Sequence, residues 1–331
     1  MKKLLMAAAV SMLALSTSVM SATIIRVGHG ANENYHLHRA LEQFKTDVET
    51  KSNGKFEVQI FPSSQMGPDR EMIEGVQSGA LQMAVSPSSF FSSWDPSFDV
   101  VELPFIYPSK EAGLRTVHSA EGDKMLGRLA NMNLVGLGWL ENGVRHVSNN
   151  SRPIADIDDL KGLKIRTMKV PAHVQTFNSL NASATPMNFG EVYSALQQGV
   201  VDGQENPIAH IFSQRFYEVQ NYVSLTGHVI TFYIPVMNYE FWQSLSADDQ
   251  KLLKDAMKGA EDYQQQLVNA EESQQLEAFK EAGTKVNALT EAQRQHFIEA
   301  TEPVRQAYRE KLGADVYDAW MQAIKDSSNQ S

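Results

Sequence analysis

Arg166 sits in a run, Leu163 to Met168, in which apolar and polar positions alternate, so its guanidinium is carried on a half-buried strand. A cation there is costly unless an anion meets it. Its partner is either a structural Asp or Glu or the carboxylate of a ligand, and the residues alone leave these readings level. A planar guanidinium fork suits a carboxylate, because two parallel hydrogen bonds reach its two oxygens. Arg145, in the stretch GVRHV, has nearby Asp and Glu residues as partners. Asn206 falls where a strand ends and a helix begins, the place where open α/β sheets hold ligands. Its carboxamide either binds there or caps the helix, with Pro207 as first helical residue. Phe189 reads as a ligand-facing aromatic or as plain core.

Chemistry beyond binding has no signature. No GxSxG elbow, HExxH pair or phosphate-binding loop occurs, and Gly28-His29-Gly30 lacks the spacing of a dinucleotide fingerprint. His36 and His38 are two apart, wrong for one helix face, so no metal site is expected. The chain has no Cys, which removes disulfides, thiolate zinc sites and cysteine nucleophiles together. A formal charge of −10 and the lack of a basic patch exclude nucleic acid as a partner. An anionic ligand must therefore be held by a local site against the overall field.

The elements that must position these residues follow from periodicity. Met1 to Ser21 has a basic start at Lys2 and Lys3, an apolar core from Leu4 to Leu15 and a small-residue cleavage site, the pattern of a secretory signal too short to span a membrane. Ile24 to Gly28, Phe56 to Ile60 and Leu81 to Ser86 read as strands separated by helices, one with a Leu37, Leu41, Phe44 and Val48 stripe and one opened by Asp69. This β-α-β-α-β start predicts parallel strands with ligand-facing loops at His29 to Asn34 and Ser86 to Phe90. Leu134 to Trp139 is expected as a strand running into Glu141, and Asn149 to Pro153 as a crossing between domains. In PMNFGEVYSALQQGVVDGQENP, Pro186 to Pro207, a short helix ends at Gly199, Val200-Val201 is expected as a short strand, and Asp202-Gly203 turns out of it. Val229 to Asn238 is β-rich and returns to the first domain. From Asp248 to Gly283 the chain is helix-forming, with Leu252, Ala256, Ala260, Tyr263 and Leu267 on one side. About 35 residues give roughly 50 Å, long enough to brace two lobes.

The stretch ending in DGQENP, together with LKGLKIRTM upstream, resembles the solute-binding proteins of TRAP transporters (tripartite ATP-independent periplasmic transporters). IIRVGHG, FPSSQMG, LPFIYP, GVRHVSN and TGH recur in that family's order, so the likeness covers nearly the whole chain after the leader. It implies an α/β fold of two lobes around a cleft, braced by a long C-terminal helix. The expected division is 1–21 as signal peptide, 22–144 plus 232–271 as lobe I, and 145–231 plus 272–331 as lobe II. By resemblance Arg166 bridges the ligand carboxylate, Arg145 and Asn206 assist, and Phe189 packs on the ligand's apolar face. Sialic-acid binders of the family carry a glutamate and an arginine where Pro87 and Phe90 stand here, and an amide in place of Tyr233. The polar groups for a nine-carbon polyol tail are thus missing. Tyr233, Trp139, Glu141, Asn34, Ser88 and His228 complete the candidate set, with His36 and His210 beside them. The implied protein is a periplasmic monomer that captures a sugar acid or hydroxy acid, with a C4-dicarboxylate next, and hands it to a membrane permease without an ATPase. It is not expected to be an enzyme or to hold a cofactor. The alternatives are a secreted α/β enzyme acting on acidic sugars and a binding protein that feeds a sensor.

Overall fold

A computed structural model describes residues 22–329. The expected signal peptide, 1–21, lies outside the described residues. Strand β1 (Thr23–His29), helix α1 (His36–Lys51), β2 (Phe56–Phe61), α2 (Asp69–Gln77) and β3 (Met83–Pro87) form the opening unit. The strands pair in parallel in the order β2-β1-β3. The α1 stripe is buried at Leu37, Leu41, Phe44 and Val48, as its spacing predicts. Short helices α3 (Lys110–Val117) and α4 (Ala120–Gly127) lead to β4 (Leu134–Gly136) and β5 (Leu140–Asn149).

The next segment carries β6 (Lys164–Thr167), α5 (Pro171–Ser179), β7 (Ser183–Pro186), α6 (Val192–Gln197), β8 (Gly203–Pro207) and α7 (Ile208–Ser213). The strand after α6 is not Val200-Val201. Val200 is 52% exposed, and pairing begins only at Gly203. The Val200 N–H instead bonds the Ala195 carbonyl at 2.9 Å in the turn that closes α6, and at Gly203, where pairing begins, a Cβ would lie 2.3 Å from the Ser148 carbonyl oxygen. Asn206 is consequently inside β8. Pro207 occupies the N-cap of α7, and no side chain bonds there.

Strand β9 (Tyr222–Asn238) runs unbroken for 17 residues and joins the two lobes. Its first residues pair with Val147 to Asn149 of β5, and its later ones with Leu140 to Arg145, with β3 and with β4. The TGH stretch, Thr226 to His228, therefore lies within a strand that starts seven residues before the expected Val229. The sheet order is β2-β1-β3-β9-β5-β8-β6-β7. The β5–β9 ladder shifts register at Glu141/Gly143 and at Arg145/Val147. Such bulges bend a strand and re-aim its side chains, and these two flank the cleft residues.

After α8 (Tyr239–Ser244), helix α9 (Ala247–Glu281) extends for 35 residues from a Ser246–Asp249 capping box. Its buried face is Leu253, Ala256, Met257, Ala260, Gln264, Val268 and Phe279, rotated from the expected stripe; Leu252, Tyr263 and Leu267 are only half-buried. One end packs with Phe44 and Val48 of the first lobe, while Phe279 joins Phe212 and Phe216 of the second. Midway, the Gln264 carboxamide bonds both backbone groups of Glu141, at 3.0 and 3.1 Å, fixing the helix to the crossing strand.

Strand β10 (Lys285–Ala288), helix α10 (Glu291–Leu312) and helix α11 (Ala314–Ser328) finish the chain. Helix α11 packs on α3 and on α10. Trp320 and Ile324 enter a core with Phe98 and Val117, residues grouped with lobe I. Trp320 Nε1 donates to the Tyr107 hydroxyl at 3.0 Å, giving a large indole both an apolar bed and a partner. The tail thus crosses back to the first lobe.

The Gly203 contact gives a paired prediction. Gly203→Ala should destabilise by about 1–3 kcal/mol through overpacking. Gly127→Ala, at an exposed helical position with nothing within 4 Å of a new Cβ, should be neutral or stabilising. Urea denaturation of both variants checks this; equal effects would show that β8 does not need a glycine there.

Candidate functional site

A cleft of about 350 Å³ opens between the lobes. Gly30, Ala31, Pro87 and Phe90 border it at the C-terminal ends of β1 and β3, where the parallel strands were expected to present their loops. Arg166, Phe189 and Asn206 face them from the other lobe, and Arg145 and Tyr233 come from the crossing strands.

Arg166 is 1% exposed on β6, flanked by Thr185 of β7 and Gln204 of β8. Its Nε and Nη2 donate to the Met187 carbonyl at 3.1 and 2.7 Å. One edge of the guanidinium is thereby used, and the end-on edge, Nη1 with the second Nη2 hydrogen, is left. Nη1 is buried without a partner. Burial first, and then the neighbouring Arg145 charge, push the Arg166 guanidinium down to about 10, with Glu205 only partly offsetting them. The Phe189 ring lies 5.8 Å from its Cζ. A desolvated cation with an open edge on a cleft is a site for an anion.

Arg145 is equally buried and differs in kind. Its Nε and Nη2 meet both carboxylate oxygens of Glu205, at 2.5 and 2.8 Å, and Nη2 also reaches Asn206 Oδ1 at 3.2 Å. Glu205 is fully buried on β8. Burial alone would raise its carboxyl, but Arg145 and a bond from His228 Nε2 at 3.2 Å outweigh that and hold it well below the usual carboxylate range. The Arg145 charge is thus already neutralised within the protein. Asn206 Nδ2 donates to Gln204 Oε1, leaving its second hydrogen for the cleft.

Five of the ten candidates border this cleft: Arg166, Arg145, Asn206, Phe189 and Tyr233. The other five do not. His228 stands behind Glu205, its Nδ1 held by Thr226. Ser88 bonds Glu102, which also meets His173 at 3.0 Å. Trp139 packs edge-on against Phe232 in the core. Glu141 turns toward α9 and Lys110, at 2.6 Å from Gln265 Nε2. Asn34 and His36 border separate hollows beside α9. Side-chain parity explains Glu141, whose neighbour Asn142 borders the cleft; Ser88 lies past the end of β3, in the turn of helix Ser88–Ser93, while Pro87 at the strand end borders the cleft. Glu205 and Asp69 are functional candidates that the sequence reading passed over. The signal for Glu205 was a charge in a strand flanked by buried neighbours; for Asp69 it was an acid following the FPSSQMG loop.

Asp69 lines the first-lobe wall. Burial raises its carboxyl from 3.8 to about 6, against the lowering effect of Arg166. Folded protein therefore binds this proton more tightly than unfolded chain, and stability falls as pH rises from about 4 to 6. Asp69→Asn should be more stable than the parent by on the order of 2–3 kcal/mol at pH 7.5, with the difference fading by pH 4. A difference independent of pH between those limits would contradict the shifted titration. Glu205→Gln, in contrast, strands the Arg145 charge in the interior and should cost about 3–5 kcal/mol at neutral pH. Calorimetry showing an unchanged Tm would mean that Arg145 finds another counter-ion.

Comparison with known proteins places the chain. Residues 27–311 match the family described as bacterial extracellular solute-binding protein, family 7. The 2,3-diketo-L-gulonate-binding periplasmic protein of Escherichia coli strain K12 is 32% identical over 96% of this chain and 92% of its own length. The C4-dicarboxylate-binding periplasmic protein of Rhodobacter capsulatus is 33% identical over 93% of each chain. Among solved structures, the sugar acid binding protein of Advenella mimigardefordensis in complex with galactonate superposes with a TM-score of 0.90 at 30% identity, covering 93% of this chain and 99% of that one. With a family match over most of its length, the two-lobed fold and the cleft, the chain belongs to family 7 of the bacterial extracellular solute-binding proteins, the solute-binding proteins of TRAP transporters.

Proposed function

We propose that the cleft captures a small monocarboxylate, a sugar acid or hydroxy acid, with its carboxylate end-on against Arg166. Hinge closure about the crossing strands then buries the ligand for delivery to a TRAP permease. The observation that carries this reading is the buried, unpartnered Nη1 of Arg166. Arg145 bears on the number of charges: bonded to Glu205, it is not free to take a second carboxylate. The Rhodobacter relative, named for C4-dicarboxylates, supports the runner-up, and Lys169 and Arg70, which also line the cleft, are cations a second carboxylate would meet. The relatives are named for binding rather than turnover, which supports a carrier over an enzyme. Their periplasmic names and the leader-like segment support export, and no helix among the described residues is long and apolar enough to cross a membrane.

Arg166→Lys keeps the charge but replaces a fork with a point donor. Affinity for the bound acid should fall by about thirty- to several-thousand-fold, while the Tm without ligand stays near the parent value. Titration calorimetry and thermal denaturation on one preparation check both halves. Normal affinity in the variant would end the carboxylate assignment.

A further inference from the structure

His210 stands on α7 one turn beyond Asn206, and Tyr233 meets it from β9, with His210 Nε2 and the Tyr233 hydroxyl 2.7 Å apart. Both border the cleft and both are 4% exposed. The imidazole is held on two sides: it stacks on Tyr35 with ring centroids 3.9 Å apart, and Phe189 meets it edge-on at 4.7 Å. Its orientation is therefore fixed by packing, and Nδ1 is left buried with no partner. A buried polar atom without a partner costs free energy that a ligand atom can recover.

The ring is neutral, because burial and then the surrounding charges, Arg145 and Arg166 among them, hold its proton affinity far below the ordinary histidine value. One proton is thus shared between two nitrogens, and Tyr233 decides its place. If the phenol donates to Nε2, Nδ1–H is a donor and the phenol oxygen an acceptor. If Nε2–H donates to the phenol, Nδ1 is an acceptor and the phenol O–H a donor. The Tyr35 hydroxyl donates to Asn142, with the backbone oxygen at 2.8 Å and Oδ1 at 3.1 Å, and it also lies within hydrogen-bonding reach of the Tyr233 hydroxyl. Either tautomer presents one donor and one acceptor, so either satisfies a ligand hydroxyl, and the donor of either satisfies a carbonyl. A methylene satisfies neither.

We propose that His210 and Tyr233 act as one specificity-determining pair, selecting monocarboxylates that carry a hydroxyl or carbonyl oxygen close to the carboxylate over the same acids without it. Arg166 and His210 both lie against the Phe189 ring, with Arg166 Cζ 5.8 Å and the His210 ring 4.7 Å from its centroid, and the Arg166 charge acts on the His210 imidazole. The assignment rests on the reading of Arg166 as carboxylate anchor.

Matched acids test it: D-gluconate with 2-deoxy-D-gluconate, D-glycerate with 3-hydroxypropionate, and lactate and pyruvate with propionate. Titration calorimetry on the parent, His210→Phe, Tyr233→Phe and Arg166→Lys gives the Kd ratio within each set. The parent should prefer the oxygenated member of the set it binds by about 10- to 100-fold. His210→Phe keeps the ring stack and should collapse that ratio to within about threefold, by weakening only the oxygenated acid. Tyr233→Phe, which unties the tautomer, should reduce the ratio as well. Arg166→Lys should weaken both members together. A ratio unchanged in His210→Phe, or both acids weakened equally by it, overturns the pair while leaving the carboxylate anchor standing. Binding of no member by the parent overturns the anchor and the pair together.

Discussion

Two guanidinium groups are buried at the floor of the cleft, and a single carboxylate, Glu205, is bonded to one of them. This imbalance is the constraint on which the site depends. Removing a cation from water costs several kcal/mol even after relaxation, and only a close, well-aligned anion repays it. Arg145 has that anion, together with His228 behind it. Arg166 has a backbone carbonyl and an open edge. Adjacent strands β5, β8 and β6 bring the three groups together, so the electrostatics of the cleft are set by sheet order rather than by any one loop.

The same strands explain how such a site can open. β5 and β9 belong to both lobes, and their ladder is interrupted beside Arg145 and at Gly143, whose φ of +129° suits only glycine. A strand pair with bulges bends more readily than a regular ladder. Helix α9 limits that bending, packing on α1 at one end and on the Phe212–Phe216 core at the other, with Gln264 tied to the crossing strand. The closure proposed above would pass through a few residues of β5 and β9.

Much of the fold was legible because period-2 and period-3.6 patterns were strong. The strand carrying Arg166, the α1 stripe and the helix beginning near Asp248 all appear where the pattern puts them, although Ile165 to Met168 are buried on both faces rather than on alternate positions. Local pattern failed where a distant neighbour decided the outcome. Val200-Val201 has β propensity, yet Val200 is bonded back to Ala195 in the turn that closes α6 and pairing begins only at Gly203. Arg145 was read with its internal partner left open, and that partner, Glu205, lies 60 residues away with no local sign of the pairing. Glu141 stands at the correct strand end but on the wrong parity, which a sequence fixes only when one face is clearly apolar, and Ser88 falls just past the end of β3 in a helical turn. Asp69 shows the opposite case: an acid that looks like an ordinary first-turn residue becomes a cleft wall because of the loop before it.

The central claim is that the open edge of Arg166 is completed by a ligand carboxylate. A crystal structure of the protein with the acid it retains on purification measures this directly. The account predicts a carboxylate oxygen about 3 Å from Arg166 Nη1, with Nε and Nη2 still on the Met187 carbonyl and Arg145 still on Glu205. A bound acid whose carboxylate lies away from Arg166, with Nη1 bonded instead to a protein group, would contradict it.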